Sequence, residues 1–493
     1  MRVLFLHNNF PAQYRHVAPA LAASGHEVAF VTQRQGGALP GVRTRVYKPS
    51  RQAAKETHHY LRGTESAVLN GQAVWRVCRD LAREGFVPDI VCSHSGWGNA
   101  LYVQDVFPQV RSLVYYEWYY RGRGSDADFL QDPPLGADDL CRLRTRNASI
   151  LLDLAACDWG ISPTRFQMSR FPGLFRQKMT VLHDGIDVNF FAPTEDARAK
   201  LAALAIPGLE LKPETEIVTY ATRGMEPYRG FPQFMRAAAQ VLKERPQAQA
   251  IVVGEDRVAY GRQLPPGESW RQRMMDELKI DPARIHFTGL LPYPDYLTVL
   301  QSSDCHIYMT VPFVLSWSLL EAMATGCLIV GSDTAPIREL IDDGAEGLLA
   351  DFFDTDALAG RIHAALDLPD RGQVLRQAAR RRIVDGYALQ DLLPRHLRLI
   401  REVAAGTLPP LRDEPALRRA PDAGPAEPAA GGGPEAGGPE AGGQETGAQE
   451  TGAQEGDAQK ADAQKADAKG DSGAKAGGKS GSRRRKSGRK AVA

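Results

Sequence analysis

Six cysteines in 493 residues, at positions 78, 92, 141, 157, 305 and 327, form no CxxC pair. That spacing offers neither the paired thiolates of a zinc site nor a disulfide framework, and most of the six lie among apolar neighbours, as reduced core thiols of a cytosolic protein do. A surplus of charge is missing too: the net formal charge is +1 at pH 7, so nothing global directs the chain to nucleic acid or to an acidic partner. No run approaches the ~18 consecutive apolar residues of a membrane span. The opening MRVLFLHNNF is too short an apolar run for a secretory leader and has no cleavage-site pattern; it reads as a first buried strand. No GxGxxG follows that strand. The chain has HNNFPAQ there, and GWGNAL from Gly96 fits only half the pattern, which sets aside a dinucleotide-binding dehydrogenase.

Apolar residues nevertheless make up 43% of the chain, enough for the full cores of a globular protein. Short apolar runs alternate with helical patterns. Strands are predicted at Val3–His7, Glu27–Thr32, Asp89–His94, Ser112–Glu117, Asp158–Ser162 and Met179–His183. After residues 187–213 the rhythm resumes at Ile217–Thr222, Ala250–Gly254, Ile285–Gly289, His306–Met309 and Leu328–Ser332. Helical spacing fills the gaps, as in Gln13–Ala23, Leu140–Ala156, Phe231–Glu244, Trp270–Lys279, Tyr293–Ser302 and Ala357–Leu366. Strand and helix alternating at this interval imply an α/β protein of two doubly wound domains, residues 1–190 and 191–405, with ligands at the carboxyl ends of the strands in the crevice between them. From about Thr407 the composition changes to Pro, Gly, Ala, Glu and Gln, with repeats such as ETGAQETGAQE. Residues 406–493 hold almost no large apolar side chain to offset the entropy of ordering, so disorder is expected. The tail ends in GSRRRKSGRKAVA, with no acid after Asp471. This is either an electrostatic anchor to anionic lipid, nucleic acid or another polyanion, or a plain solvated tail.

The densest signal is PFVLSWSLLEAMATGCLIVGSD, Pro312 to Asp333. A helix starting near Ser316 or Trp317 carries Leu319, Leu320, Met323 and Ala324 inward, Gly326 ends it, and Leu328-Ile329-Val330 form a buried strand. The helix start is a ready anion site, and Glu321 one turn deeper can accept hydrogen bonds from a ribose diol. With its continuation TAPIRELIDDGAEGLL, this segment resembles the donor-binding core of the family 4 (group 1) retaining glycosyltransferases of the GT-B fold. The resemblance extends over roughly the first four hundred residues. It implies two Rossmann-like domains facing across a cleft, with the last helices packing back on the first domain.

The resemblance also implies roles for residues. Glu321 would bind the ribose, Ser316, Ser318 and Leu319 would meet the diphosphate, and Glu339, in APIREL, would lie near the nucleotide. In YATRGMEPYRGF, Arg223 ends a strand and Arg229 precedes a helix, so both guanidinium groups should face the crevice and neutralise a departing diphosphate. The family has an Arg and then a Lys here; Arg229 stands in for the Lys with one extra residue of spacing. His94 closes a strand where relatives often place a histidine that reaches the donor sugar. In the loop after the first strand, Asn9 lies on the acceptor side, where many relatives have glycines. The run VYYEWYYRGRG concentrates aromatic residues around Glu117, and Glu117 with Trp118 could form an acceptor platform, or the run could be packing. His183, Gly185 and Asp187, in VLHDGIDVNFF, fall at the domain crossover. One departure stands out. The family commonly has two glutamates separated by seven residues; the second matches Glu321, but the first falls on Phe313.

The expected function is therefore transfer of a sugar from a nucleoside-diphosphate sugar to a hydroxyl acceptor, which could be lipid-linked, with retention and in cell-envelope or exopolysaccharide synthesis. No cofactor and no metal are expected: Asp126-Ala127-Asp128 imitates the DxD of the other glycosyltransferase fold, but the chain's organisation does not suit that fold. No nucleic-acid partner is expected. The expected location is the cytoplasm, with peripheral membrane contact through the basic tail. The rivals are a non-catalytic nucleotide-sugar-binding scaffold, for which Phe313 and the tail speak, and an epimerase or phosphorylase of the same fold.

Overall fold

The structure is a computed structural model that describes residues 1–34, 36–131 and 134–411; the expected disorder of the tail and its basic end fall outside the described residues. Thirteen strands form two wholly parallel sheets among those residues. The first contains β1 (Arg2–His7), β2 (Glu27–Thr32), β3 (Val42–Val46), β4 (Ile90–His94), β5 (Arg111–Tyr115), β6 (Trp159–Ser162) and β7 (Met179–Val181), in the order β3-β2-β1-β4-β5-β6-β7. The second contains β8 (Glu216–Gly224), β9 (Ala248–Glu255), β10 (Ile285–Gly289), β11 (Cys305–Tyr308), β12 (Ile329–Ser332) and β13 (Leu348–Ala350), in the order β10-β9-β8-β11-β12-β13. In each sheet the order reverses beside the first strand, which opens a crevice at the carboxyl ends of β1 and β4 and of β8 and β11. Register carries chemistry to those ends: His7 pairs with Thr32, and His94 with Tyr115.

Central strands are buried on both faces. Val3, Leu4, Phe5 and Leu6 are fully inaccessible, which is why they read as a continuous apolar run and not as an alternation. Two strands escape that signature. At one edge, β3 (VRTRV) alternates arginine with valine and threonine and stays half exposed; β13 has only three residues. A 22-residue helix, Arg62–Arg83, also lacks an unbroken apolar stripe in its sequence. The predicted Leu140–Ala156 helix is two, Ala137–Arg146 and Ala148–Ala156, broken at Asn147. That side chain bonds both the N–H (2.9 Å) and the carbonyl (2.8 Å) of Tyr120, so the break ties the aromatic run in place.

The chain crosses between sheets twice, and the crossings touch. Ile186 N donates to Tyr387 O at 2.9 Å, and Leu389 N returns the bond to Ile186 O at 2.8 Å. Between them Gly185 has φ +91, and a Cβ there would meet Leu389 Cα at 2.8 Å, so glycine is needed for conformation and for space. The final helix, Leu389–Ala404, then buries Leu392, Leu399, Ile400 and Val403 against Val3, Phe5, Leu113 and Trp159 of the first sheet. Its His396 donates from Nε2 to the carbonyl of His183 at 3.0 Å, beside the crossover. Among the described residues no helix is long and apolar enough to cross a membrane.

Candidate functional site

The Trp317–Thr325 helix follows β11 and fills the cleft side of the second sheet. Ser316 caps it: its side chain accepts from Ser318 N at 3.3 Å, while its own N–H donates to the Tyr308 hydroxyl at 3.0 Å. Gly326 ends it with φ +83. Leu319 is fully buried and its N–H donates to Ser316 O, so the Ser318 and Leu319 amides are both turned onto the cap. Glu321 is 4% exposed, and its Oε1 accepts from the Tyr293 hydroxyl at 3.3 Å. At the helix start the Trp317 indole N–H donates to Asp184 of the first domain at 2.9 Å, and the Arg15 guanidinium lies 4.1 Å over the indole ring.

Beside this helix lie the two arginines. Arg229, in the 3-10 turn Pro227–Arg229, is buried and donates from Nη1 to Thr310 Oγ1 (2.8 Å) and Val314 O (3.0 Å). Arg223 donates from Nη1 to the Tyr260 hydroxyl at 3.1 Å, and its buried Nε and Nη2 have no partner among the described residues. The Arg229 guanidinium also lies 5.1 Å from the Tyr260 ring. What positions Tyr260 is Glu226, a residue the sequence reading passed over. Its fully buried carboxylate accepts from the N–H groups of Ala259 (2.9 Å), Tyr260 (3.0 Å) and Gly261 (2.7 Å). Burial raises the Glu226 carboxyl above its usual range, against the pull of those three donors. A glutamate between two arginines was the available signal, but its partners are backbone groups of a distant loop.

The first domain supplies the opposite wall. His94, at the end of β4, donates from Nδ1 to Ser95 O at 2.7 Å, which turns Nε2 toward Glu117 Oε2 at 3.7 Å. Its ring stacks on Trp97 (4.4 Å) and Tyr115 (5.4 Å) and meets His7 edge-on at 4.9 Å. Burial would raise the Glu117 carboxyl, but contact with His94 and the positive charge of Arg223 and Arg229 outweigh it and hold the group below its usual range. Burial, reinforced by His94, holds the His7 imidazole well below its ordinary value, so it stays neutral. Asn9 is buried in the loop after β1, where its N–H donates to His7 Nδ1 at 2.9 Å.

Three residues singled out in the sequence make structural contacts. Trp118 offers no open stacking face: it is 7% exposed and packs edge-on against Phe313 at 4.9 Å and beside Phe166. Phe313 itself is a hub, with Tyr260 at 5.3 Å, Tyr228 at 5.6 Å and the Arg229 guanidinium at 5.8 Å. Glu339 has both oxygens engaged across the domain interface by the N–H groups of Arg165 and Phe166, each at 2.8 Å, and so caps the Arg165–Arg170 helix of the first domain. His94, Glu117, Arg223 and Arg229 are thus drawn to one cleft, with Glu321 on the adjoining helix. No group of three or more metal-ligating side chains occurs among the described residues.

Two Rossmann-like sheets with their carboxyl ends turned on one cleft define a GT-B protein. Residues 24–191 match the glycosyl transferase family 4 group, and residues 206–382 match the glycosyl transferases group 1. The chain belongs to these family 4, group 1 glycosyltransferases. It is 24% identical over 206 residues to a D-inositol 3-phosphate glycosyltransferase of Segniliparus rotundus, covering 41% of this chain and 42% of that protein. It is 25% identical over 230 residues to a GDP-mannose-dependent monoacylated alpha-(1-6)-phosphatidylinositol monomannoside mannosyltransferase of Corynebacterium glutamicum, covering 44% and 55%. The chain spans about half the length of the curated relatives it matches. Among solved structures it is similar to HepE of Anabaena in complex with UDP-glucose, with TM-score 0.59 and 16% identity over 83% of this chain and 99% of that one.

Proposed function

We propose that this protein transfers a sugar, with retention, from a nucleoside-diphosphate sugar to a hydroxyl acceptor. The observation that carries the proposal is the convergence of Arg223 and Arg229 from one domain on His94 and Glu117 from the other, beside the Trp317–Thr325 helix. Two cations placed in the cleft stabilise charge as it builds on a departing diphosphate. Glu321 is assigned to the ribose, the capped helix start with Ser316, Ser318 and Leu319 to the diphosphate, and His94 to orienting the sugar. Asn9 is placed on the acceptor side. Reaction on one face follows when the leaving phosphate accepts the acceptor's proton as the new bond forms; the protein then contributes position and charge. Because the arginines and the helix end supply the positive charge, we assign no resident metal and no cofactor. The named relatives, acting on an inositol phosphate and on a phosphatidylinositol mannoside, support a polar hydroxyl acceptor, lipid-linked or small, and a role in envelope glycoconjugates. A cytoplasmic protein touching the inner membrane face through the basic tail fits that role.

The test is a thermal-shift screen of the full chain against nucleoside diphosphates and UDP-, GDP- and ADP-sugars. Binding to the folded state raises Tm by mass action. The expected result is a shift with one base, lost in Glu321→Ala, and donor turnover with a hydroxyl acceptor, lost in Arg223→Ala. No shift in a folded protein overturns the proposal, and binding without turnover under any acceptor favours the scaffold reading, for which Phe313 is the observation.

A further inference from the structure

We propose that Glu117 is the carboxylate that holds the donor sugar, accepting hydrogen bonds from its hydroxyl groups across the cleft from Arg223 and Arg229. The inference rests on the reading of this cleft as a nucleotide-sugar site. Glu226 is committed to three backbone N–H groups of its own domain. Asp184 is committed to Trp317 and Tyr115, and Asp126 to Tyr228 and Ser125. Glu321 faces Tyr293. Glu117 differs. Its side chain is 35% exposed, and its nearest ionic neighbour, His94 Nε2, stands off at 3.7 Å, longer than a direct hydrogen bond.

The backbone around Glu117 is nevertheless fixed. Its carbonyl accepts from Gln167 Nε2 at 2.8 Å, and the next residue, Trp118, is locked against Phe313. A carboxylate on a fixed backbone, with open oxygens, is preorganised for a ligand and not for the fold. Its neighbours complete a sugar-phosphate pattern. The tautomer of His94 is set by Ser95 O, so the ring edge facing Glu117 is Nε2, and the Nε and Nη2 protons of Arg223 are unspent. Hydroxyl protons would meet the carboxylate side and phosphoryl oxygens the arginine side. Phe313, by contrast, presents no acceptor: it is buried in aromatic rings and adjoins Arg229 with its ring. The wall that the family resemblance would furnish with a glutamate is apolar here, and the acid comes from the facing domain. Glu117 ionises readily, since His94, Arg223 and Arg229 together outweigh its burial. Drawing this acid from the first domain also makes the sugar subsite incomplete until the two domains meet.

The experiment compares the full-length wild type with Glu117→Gln, Glu117→Asp and Arg223→Ala. Affinities are measured for UDP, GDP and ADP and for UDP-glucose, GDP-mannose and ADP-glucose, together with nucleoside-diphosphate release. Glu117→Gln is expected to bind the free diphosphate within about twofold of wild type and the matching nucleotide sugar about tenfold or more weakly, the loss expected of one charge-assisted hydrogen bond. Glu117→Asp should fall between the two. Wild-type affinity for the nucleotide sugar in Glu117→Gln, with Arg223→Ala still impaired, overturns the assignment of Glu117 and leaves the cleft reading intact. Equal losses for the diphosphate and its sugar also overturn it, because they place Glu117 in support of the arginines. If wild type binds none of the six, the cleft reading fails and the assignment fails with it.

Discussion

Asp184, just past β7 in the first domain, and Trp317, the first residue of the Trp317–Thr325 helix in the second, share a hydrogen bond of 2.9 Å from the indole N–H to the carboxylate. The same oxygen accepts from the Tyr115 hydroxyl at 3.1 Å. The helix that carries Glu321 is therefore tied to the first sheet at its first residue. Burial pushes the Asp184 carboxyl up to about 7, against the pull of those two donors and of Arg15.

That shift has a sign. A carboxyl whose folded value lies above its unfolded value of about 4 takes up a proton on folding, so its contribution is fully present below pH ~4 and is lost as pH rises through ~7. Asp184→Asn keeps the acceptor oxygen and removes the titration. Melting wild type and variant from pH 4 to 8 should show equal Tm values at the acid end. Above pH 7 the variant should be more stable, by on the order of 1 kcal/mol once partial solvent access is allowed for. A variant that matches wild type at pH 4 but is less stable above pH 7 would mean that the ionised form is the one the fold prefers.

The two cleft arginines should separate stability from turnover. Arg229 is buried and satisfies Thr310 and Val314, so Arg229→Ala should cost about 2–4 kcal/mol in urea unfolding as well as activity. Arg223 keeps two N–H-bearing nitrogens without partners. Arg223→Ala should therefore change stability by less than about 1 kcal/mol while lowering turnover about 100- to 1000-fold. Similar stability losses in both variants would place Arg223 in the fold and not in the chemistry.

What could be read from the chain alone follows a physical divide. The Trp317–Thr325 helix was legible at both ends because a serine cap, an inward apolar face and a positive-φ glycine are local signals. The central strands were legible because burial on both faces leaves unbroken apolar runs. β3 was not, since an edge strand with arginines at alternate positions lacks that run, and β13 is too short to show a period. The functions of Glu226, Asp184 and Glu339 were hidden for a different reason. Each acts on donors far along the chain: residues 259–261 for Glu226, Trp317 for Asp184, and Arg165 and Phe166 for Glu339. For Trp118 the sequence left packing and an acceptor platform both open, and packing is what the structure shows; its partner Phe313 lies in the other domain, far along the chain.

Glu339 offers a direct test of the domain interface. Its carboxylate caps the Arg165–Arg170 helix from the other domain, satisfying the N–H groups of Arg165 and Phe166 while Thr164 serves Gln167. Within one domain, loss of such a cap costs about 1 kcal/mol. Across two domains the same loss acts on their closed arrangement. Glu339→Ala should leave the far-UV circular dichroism unchanged, raise amide exchange at residues 165–167, and increase the radius of gyration in small-angle scattering. Glu339→Gln keeps one acceptor oxygen and should show a smaller change in both. If the variants exchange and scatter as wild type does, the cap does not contribute to closure, and the aromatic contact of Trp118 with Phe313 becomes the interaction that holds the cleft shut.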